Sequence, residues 1–152
     1  MEYDTYDNLL FEGEYKNGEG YEYIYGEDQE TNIIIFEGEY INGIKNGKGK
    51  KYYDNGNLKF DGKYLNGKKW DGKGYNRKGD LIYELKNGDG YVKRYYYHEF
   101  KNDEVLIYEG EYKNGEKNGK GREYDKNGNF LYEGEYINGK KNSLFFELCS
   151  IF

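Results

Sequence analysis

Side chains able to do chemistry are few in this chain and scattered. There is one histidine, His98, one cysteine, Cys149, two serines, Ser143 and Ser150, and two threonines, Thr5 and Thr31. An activated nucleophile needs a base within hydrogen-bond reach, and a metal site needs several ligands that converge. These residues offer neither pattern. No catalytic residue, metal ligand or cofactor is assigned, and the chain is expected not to be an enzyme. The stretch Gly43–Gly49 (GIKNGKG) has the composition of a phosphate loop, but three residues rather than four separate its first two glycines and no Ser or Thr follows the lysine. It reads as a hairpin turn. Asp125–Asn129 (DKNGN) offers oxygens without the alternating acids and final Glu of a calcium loop, and also reads as a turn. His98, in RYYYHEF, reads as a solvated or hydrogen-bonded bystander, with a switch or ligand role as the sharper alternative.

Two features point toward membranes. The end Cys149-Ser150-Ile151-Phe152 has a C-a-a-X form whose terminal Phe suits geranylgeranylation, making Cys149 a candidate lipidation site. Against this, Glu147 stands where a polybasic approach belongs, and LFFELCSIF also reads as a last strand capping a core. Lysines recur near the hairpin turns: Lys45, Lys48, Lys68 and Lys69 in one stretch, Lys117, Lys120, Lys140 and Lys141 in another. Along one edge they would form a surface for anionic headgroups. Interleaved Glu and Asp supply the competing reading of a solvated, aggregation-resistant edge.

A net charge of −6 argues against nucleic acid as a partner, because phosphate neutralisation needs basic surface. The charge is uneven: residues 1–36 hold ten acids against Lys16, a net of −9, which leaves +3 for the rest. One cysteine excludes an internal disulfide framework and suits a reducing compartment. No apolar run approaches the roughly 18 residues of a membrane span, and MEYDTYDNLL lacks the regions of a signal peptide. A cytoplasmic location is expected, and the lysines and Cys149 supply the membrane-peripheral alternative.

Aliphatic and Phe residues (10 Leu, 10 Ile, 2 Val, 8 Phe) make up 30 of 152, near the border of disorder, but 20% aromatic content restores the capacity for a core. With no Ala, 23 Gly and 17 Asn, helix is disfavoured, while Tyr, Phe and Ile suit strands. An aromatic-x-Gly-x-Tyr signature starts units at Phe11, Phe36, Phe60, Tyr83, Tyr108 and Tyr132, with spacings of 25, 24, 23, 25 and 24. Such a period means an array in which each unit packs on its neighbours. Units three apart are offset by 72 residues, so the six form a duplicated block of three, whose first and fourth members share shortened first turns and lengthened second loops. Asn-Gly, a strong hairpin signal, occurs ten times, so each unit is a hairpin.

Strand alternation puts Phe36, Gly38 and Tyr40 on one face, where a ring lying across glycine offsets its weakness in a strand. The expected core is a spine of Tyr15, Tyr40, Tyr64, Tyr112 and Tyr136 over Gly13, Gly38, Gly62, Gly110 and Gly134, rings of one hairpin covering glycines of the next. The opposite face is expected to carry cross-strand ion pairs of Glu37 and Glu39 with Lys48 and Lys50, repeated at Glu109, Glu111, Lys120 and Arg122. At about 4.8 Å per strand, six hairpins make an elongated ribbon on the order of 55–60 Å long. The organisation expected is an N-terminal cap at 1–10, six repeats over 11–142 and an apolar C-terminal cap strand at 143–152.

The run Tyr108–Tyr124 (YEGEYKNGEKNGKGREY) and its echo at Phe36–Tyr52 resemble the MORN repeat, the membrane occupation and recognition nexus motif. The fourth unit departs from it, with Leu85 near the expected Gly. The resemblance implies an all-β, elongated single-layer twisted antiparallel sheet of tandem hairpins that serves as a scaffold. It implies no catalytic residue, because the motif has none, and it does not fix the partner. The leading expectation is a protein–protein interaction scaffold, its partner meeting Tyr40, Tyr64, Tyr112 and Tyr136 on the aromatic face, or Tyr95, Tyr96, Tyr97 and His98 in the irregular fourth unit. A peripheral acidic-phospholipid module and an antitoxin-like or immunity protein are the alternatives. A homodimer through a sheet edge or the C-terminal cap is a further expectation.

Overall fold

In the computed structural model, residues 2–3, 9–13, 17–25 and 32–142 are described, with side chains described over 18–24 and 32–142. Tyr15 and the 143–152 tail, with Cys149, lie outside them. The described residues contain thirteen strands, one short 3-10 turn at Glu99–Lys101 and no α-helix. This all-β content is what a chain without Ala and rich in Tyr, Ile, Asn and Gly favours.

The chain divides into two compact units, 1–82 and 83–152. The first sheet runs in sequence order: β1 (Glu2–Tyr3), β2 (Leu9–Gly13), β3 (Asn17–Tyr25), β4 (Asn32–Ile41), β5 (Ile44–Tyr52), β6 (Leu58–Leu65), β7 (Lys68–Tyr75) and β8 (Leu81–Leu85). The second comprises β9 (Gly90–His98), β10 (Asp103–Lys113), β11 (Glu116–Tyr124), β12 (Phe130–Ile137) and β13 (Lys140–Lys141). Both are open antiparallel meanders. The hydrogen-bonded order thus changes within the fourth repeat, the one in which the sequence departs from the motif. There Leu85 and Val92 are both buried, at 4% exposure each, and Val92 pairs with Gly110 in a position that glycine holds on the neighbouring strands.

The registers align the motif glycines into a row crossing the strands. Gly13, Gly20, Gly38, Gly49, Gly62 and Gly72 pair successively in the first sheet, and Gly110, Gly121 and Gly134 in the second. Rings lie on this row. A Cβ built on Gly49 would stand 2.7 Å from Phe36 Cζ and 3.2 Å from Tyr64 Cε2, the first ring from the same hairpin and the second from the next. Coverage by a neighbouring hairpin therefore occurs, but the leading aromatics Phe36, Phe60, Tyr108 and Tyr132 cover their own hairpins' glycines as well.

The Asn-Gly pairs do different jobs. At Asn42-Gly43, Asn66-Gly67, Asn87-Gly88, Asn114-Gly115 and Asn138-Gly139 both residues have positive φ, the geometry of tight two-residue hairpin tips. Asn55-Gly56 and Asn127-Gly128 lie in the wider second turns, closed by Tyr53 N–H to Asn57 O and by Asp125 N–H to Asn129 O, each 2.9 Å. The second loops of units one and four are long in sequence, and the flanking strands extend into them: β3–β4 pairs out to Tyr25↔Asn32 and β9–β10 out to His98↔Asp103.

Candidate functional site

The aromatic face consumes its own rings. In the first unit Tyr40, Phe36, Tyr64 and Phe60 form a ladder of edge-on contacts with centroids 5.6, 5.3 and 5.4 Å apart. In the second, Tyr112, Tyr108, Tyr136 and Tyr132 stand in the same order 72 residues later at 6.0, 5.7 and 5.5 Å, the first pair tilted and the other two edge-on. Quadrupole attraction favours such edge-to-face pairs. Tyr40, Tyr64 and Tyr136 are buried and Tyr112 is half-buried. Of the four tyrosines read from the sequence as partner-binding, Tyr40, Tyr64 and Tyr136 are thus core residues, packed on the other rings of their ladder, and Tyr112 stands half-buried at a ladder's end.

The eight lysines do not share an edge. Lys45 Nζ sits 4.0 Å above the Phe36 ring and 2.9 Å from Glu22, whose other oxygen accepts the Tyr40 hydroxyl at 2.8 Å. Lys117 Nζ caps Tyr108 at 4.0 Å and bonds Glu123 at 2.6 Å, while Lys141 caps Tyr132 at 4.5 Å and reaches the same carboxylate at 2.7 Å. Lys69 lies over Phe60 at 4.7 Å. These four lysines close the aromatic ladder by cation–π contact and ion pairing. Lys48 and Lys120 lie on the other face, and Lys68 and Lys140 flank hairpin tips, exposed. Burial works against ionisation of Glu123, yet the donors from Lys117 and Lys141 outweigh it and hold its carboxyl at about 2. The carboxylates Glu22 and Glu123 were not singled out by sequence reasoning. The shared placement of Lys45 and Lys117, each two residues after a hairpin-tip glycine, was the available signal.

The opposite face is polar and grooved. The expected ion pair of Glu39 with Lys48 is replaced by a backbone contact: Lys48 N–H donates to Glu39 Oε2 at 2.6 Å, and Lys120 N–H to Glu111 Oε2 at 2.7 Å. The cause is a register shift in each hairpin, between Gly38 and Tyr40 and between Gly110 and Tyr112, which leaves an N–H turned out of the ladder for the glutamate to take. Glu37 lies opposite Lys50 in register but accepts the Tyr52 hydroxyl at 2.5 Å. That bond and burial, burial the larger, push the Tyr52 hydroxyl up to about 12. Tyr124 bonds Glu109 in the same way at 3.2 Å, so both tyrosines belong to the polar face. Of the expected set, Arg122 and Glu109 do form an ion pair, at 3.9 Å, and Arg122 pairs more closely with Glu133, at 3.0 Å. The glycine row floors a groove of about 830 Å³ in the second unit and another of about 640 Å³ in the first, each walled by alternating charges.

In the extended β9–β10 arm, Tyr95, Tyr96, Tyr97 and His98 are half-buried. Tyr96 meets His98 edge-on at 5.1 Å and Lys126 Nζ at 4.7 Å, His98 Nε2 lies 2.7 Å from Lys126 O, and Tyr97 donates to Asn102 Oδ1 at 2.7 Å. The arm thus has its own structural bonds, and His98 is engaged by the β11–β12 turn. Within that turn Asp125 Oδ1 accepts the Asn127 and Asn129 backbone N–H groups at 2.8 Å each and Oδ2 accepts the Asn129 side-chain amide at 2.8 Å, so both oxygens serve the turn itself. At the arm's tip Phe100 is fully exposed. Among the described residues no three His, Cys, Asp or Glu side chains are grouped to hold a metal ion, and no helix is long and apolar enough to cross a membrane.

Comparison with known families identifies the repeat. The family described as MORN repeat matches the chain over residues 36–58, 108–130 and 132–143, that is, the second, fifth and sixth hairpins. Among curated proteins none matches the chain.

Proposed function

Because this chain carries MORN repeats, we propose that it is a non-catalytic scaffold that binds another protein across the polar faces of its two sheets. One observation carries this reading. The rings are turned inward onto the glycine row, so that each sheet presents to a partner a grooved face of backbone glycine, glutamate, lysine and tyrosine hydroxyl. Interfaces of that kind combine hydrogen-bonding walls with a fixed shape, and tandem repeats extend them without needing a closed pocket. The lysine distribution does not favour an anionic membrane as the main partner: Lys45, Lys69, Lys117 and Lys141 are held on the rings, and the groove walls carry more carboxylates than cations.

The test is affinity capture of the full chain from its native cell under stringent washing, compared with a chain carrying Glu133→Lys and Asp61→Lys, one reversal on each polar face. A partner retained by the parent and lost by the variant is expected. Recovery of chaperones alone, or of a partner indifferent to both reversals, would overturn the reading. In parallel, flotation with anionic vesicles at physiological salt is expected to leave the protein in the dense fraction.

A further inference from the structure

We propose that the groove of the second sheet is built for an extended segment bearing arginine or lysine at alternate positions. This deepens the scaffold reading and rests on it. The walls are β10 and β12. On β10, Glu109 and Glu111 flank Gly110; on β12, Glu133 and Glu135 flank Gly134, with all four lining the groove. Residues two apart on a strand project to one face at a separation of about 6.6–6.8 Å, so each wall carries two carboxylates at the pitch of alternate side chains in any extended chain. The walls stand two strand spacings apart, about 9.6 Å, which is room for one such chain lying along β11.

Charge then selects the occupant. The four wall carboxylates face two cations of the floor, Lys120 and Arg122, four minus two, leaving a net of −2. Accepting the Lys120 N–H does not neutralise Glu111. The groove already shows its preference on its own chain: the Arg122 guanidinium bridges Glu133 at 3.0 Å and Glu109 at 3.9 Å, while itself half exposed, at 50%. A second guanidinium two residues along meets Glu111 and Glu135 by the same spacing. Tyr91, 52% exposed on the groove wall, adds an aromatic surface on which a guanidinium stacks. The first sheet's groove is smaller, about 640 Å³, and although its five carboxylates against Lys48, Lys50 and Lys63, five minus three, leave the same net of −2, its β6 wall pairs Asp61 with Lys63 where β12 pairs Glu133 with Glu135.

The probe is a fluorescein-labelled decapeptide of alternating Arg and Thr, titrated with the full chain and read by anisotropy at low salt. A peptide of the same composition with its five arginines contiguous is the control. Binding of the alternating peptide is expected to be at least tenfold tighter than that of the block peptide. Glu133→Gln with Glu135→Gln should weaken it at least tenfold, and Glu37→Gln with Asp61→Asn in the first sheet should change it less than twofold. Amide exchange of the folded variants separates a lost site from a lost fold. Failure of the alternating peptide to bind, equal binding of the block peptide, or equal loss in the first-sheet variant would each overturn the inference. A cellular partner whose capture survives Glu133→Gln with Glu135→Gln but is lost with Asp61→Lys sinks this inference and leaves the scaffold reading standing.

Discussion

Gly49 and Gly56 separate two reasons for a glycine. At Gly49 an added methyl would meet Phe36 Cζ at 2.7 Å and Tyr64 Cε2 at 3.2 Å, so both rings must yield. At Gly56 nothing lies within 4 Å, but φ is +80°. Gly49→Ala is expected to destabilise the first unit by about 1–3 kcal/mol through overpacking, and Gly56→Ala by about 1 kcal/mol through backbone strain alone. Chemical denaturation of both variants checks this, and equal losses would refute the ring-on-glycine account. Glu123 gives a second prediction. Its carboxyl is held at about 2 against an ordinary 4.5, so its contribution to stability is complete above about pH 4.5 and is lost as pH falls through about 2. With the carboxylate about a fifth exposed, the effect is about 1–3 kcal/mol. Glu123→Gln should therefore lower stability at neutral pH by that amount, leave Lys117 and Lys141 repelling each other, and flatten the decline between pH 5 and 2. A parallel decline in both proteins would assign the acid sensitivity elsewhere.

At the scale of the hairpin, the motif's second glutamate closes a bulge. Glu39 and Glu111 each take a backbone N–H that the register shift turns out of the ladder. Glu39→Ala should accelerate exchange of the Lys48 amide about tenfold, corresponding to the ~1.4 kcal/mol of one charge-assisted hydrogen bond, while leaving amides at the Asn42-Gly43 tip protected. Hydrogen exchange with residue resolution reads both. The hairpins themselves were legible in the sequence, since Asn-Gly and the aromatic-x-Gly-x-Tyr alternation each answer to one local rule. The faces were less so. Alternation put Glu37 and Glu39 on the polar side correctly, but a bulge changes which atoms meet, and parity along one strand carries no sign of it. Tyr40 and Tyr64 were recognised as ring-on-glycine residues and also read as partner contacts. A single-layer sheet cannot offer both, because burial in the ladder uses the surface that a partner would need. The lysines failed as an edge for a related reason. Whether a long side chain lies over a ring or points to water depends on a carboxylate brought near by pairing, such as Glu22 18 residues before Tyr40.

The duplicated block seen as a 72-residue offset has a thermodynamic consequence for the whole molecule. Each half carries a complete four-ring ladder, Tyr40–Phe36–Tyr64–Phe60 in one and Tyr112–Tyr108–Tyr136–Tyr132 in the other, and each ladder has its own lysine caps. The glycine row on which such rings lie is replaced in the fourth repeat by Leu85 and Val92, and the chain's compact units divide at Ile82 and Tyr83. In a repeat array, cooperativity passes from neighbour to neighbour through the interfaces that bury surface. Where Leu85 and Val92 stand in place of glycine in that row, the array is expected to break into two cooperative blocks. Phe60→Ala removes a fully buried ring from the first ladder at a cost of about 3–5 kcal/mol. In hydrogen exchange it should strip protection from β4 through β7 and leave β10 through β12 as protected as in the parent. Tyr132→Ala should do the converse. If either substitution lowers protection equally in both blocks, the two ladders fold as one unit, and the fourth repeat transmits stability despite its branched side chains.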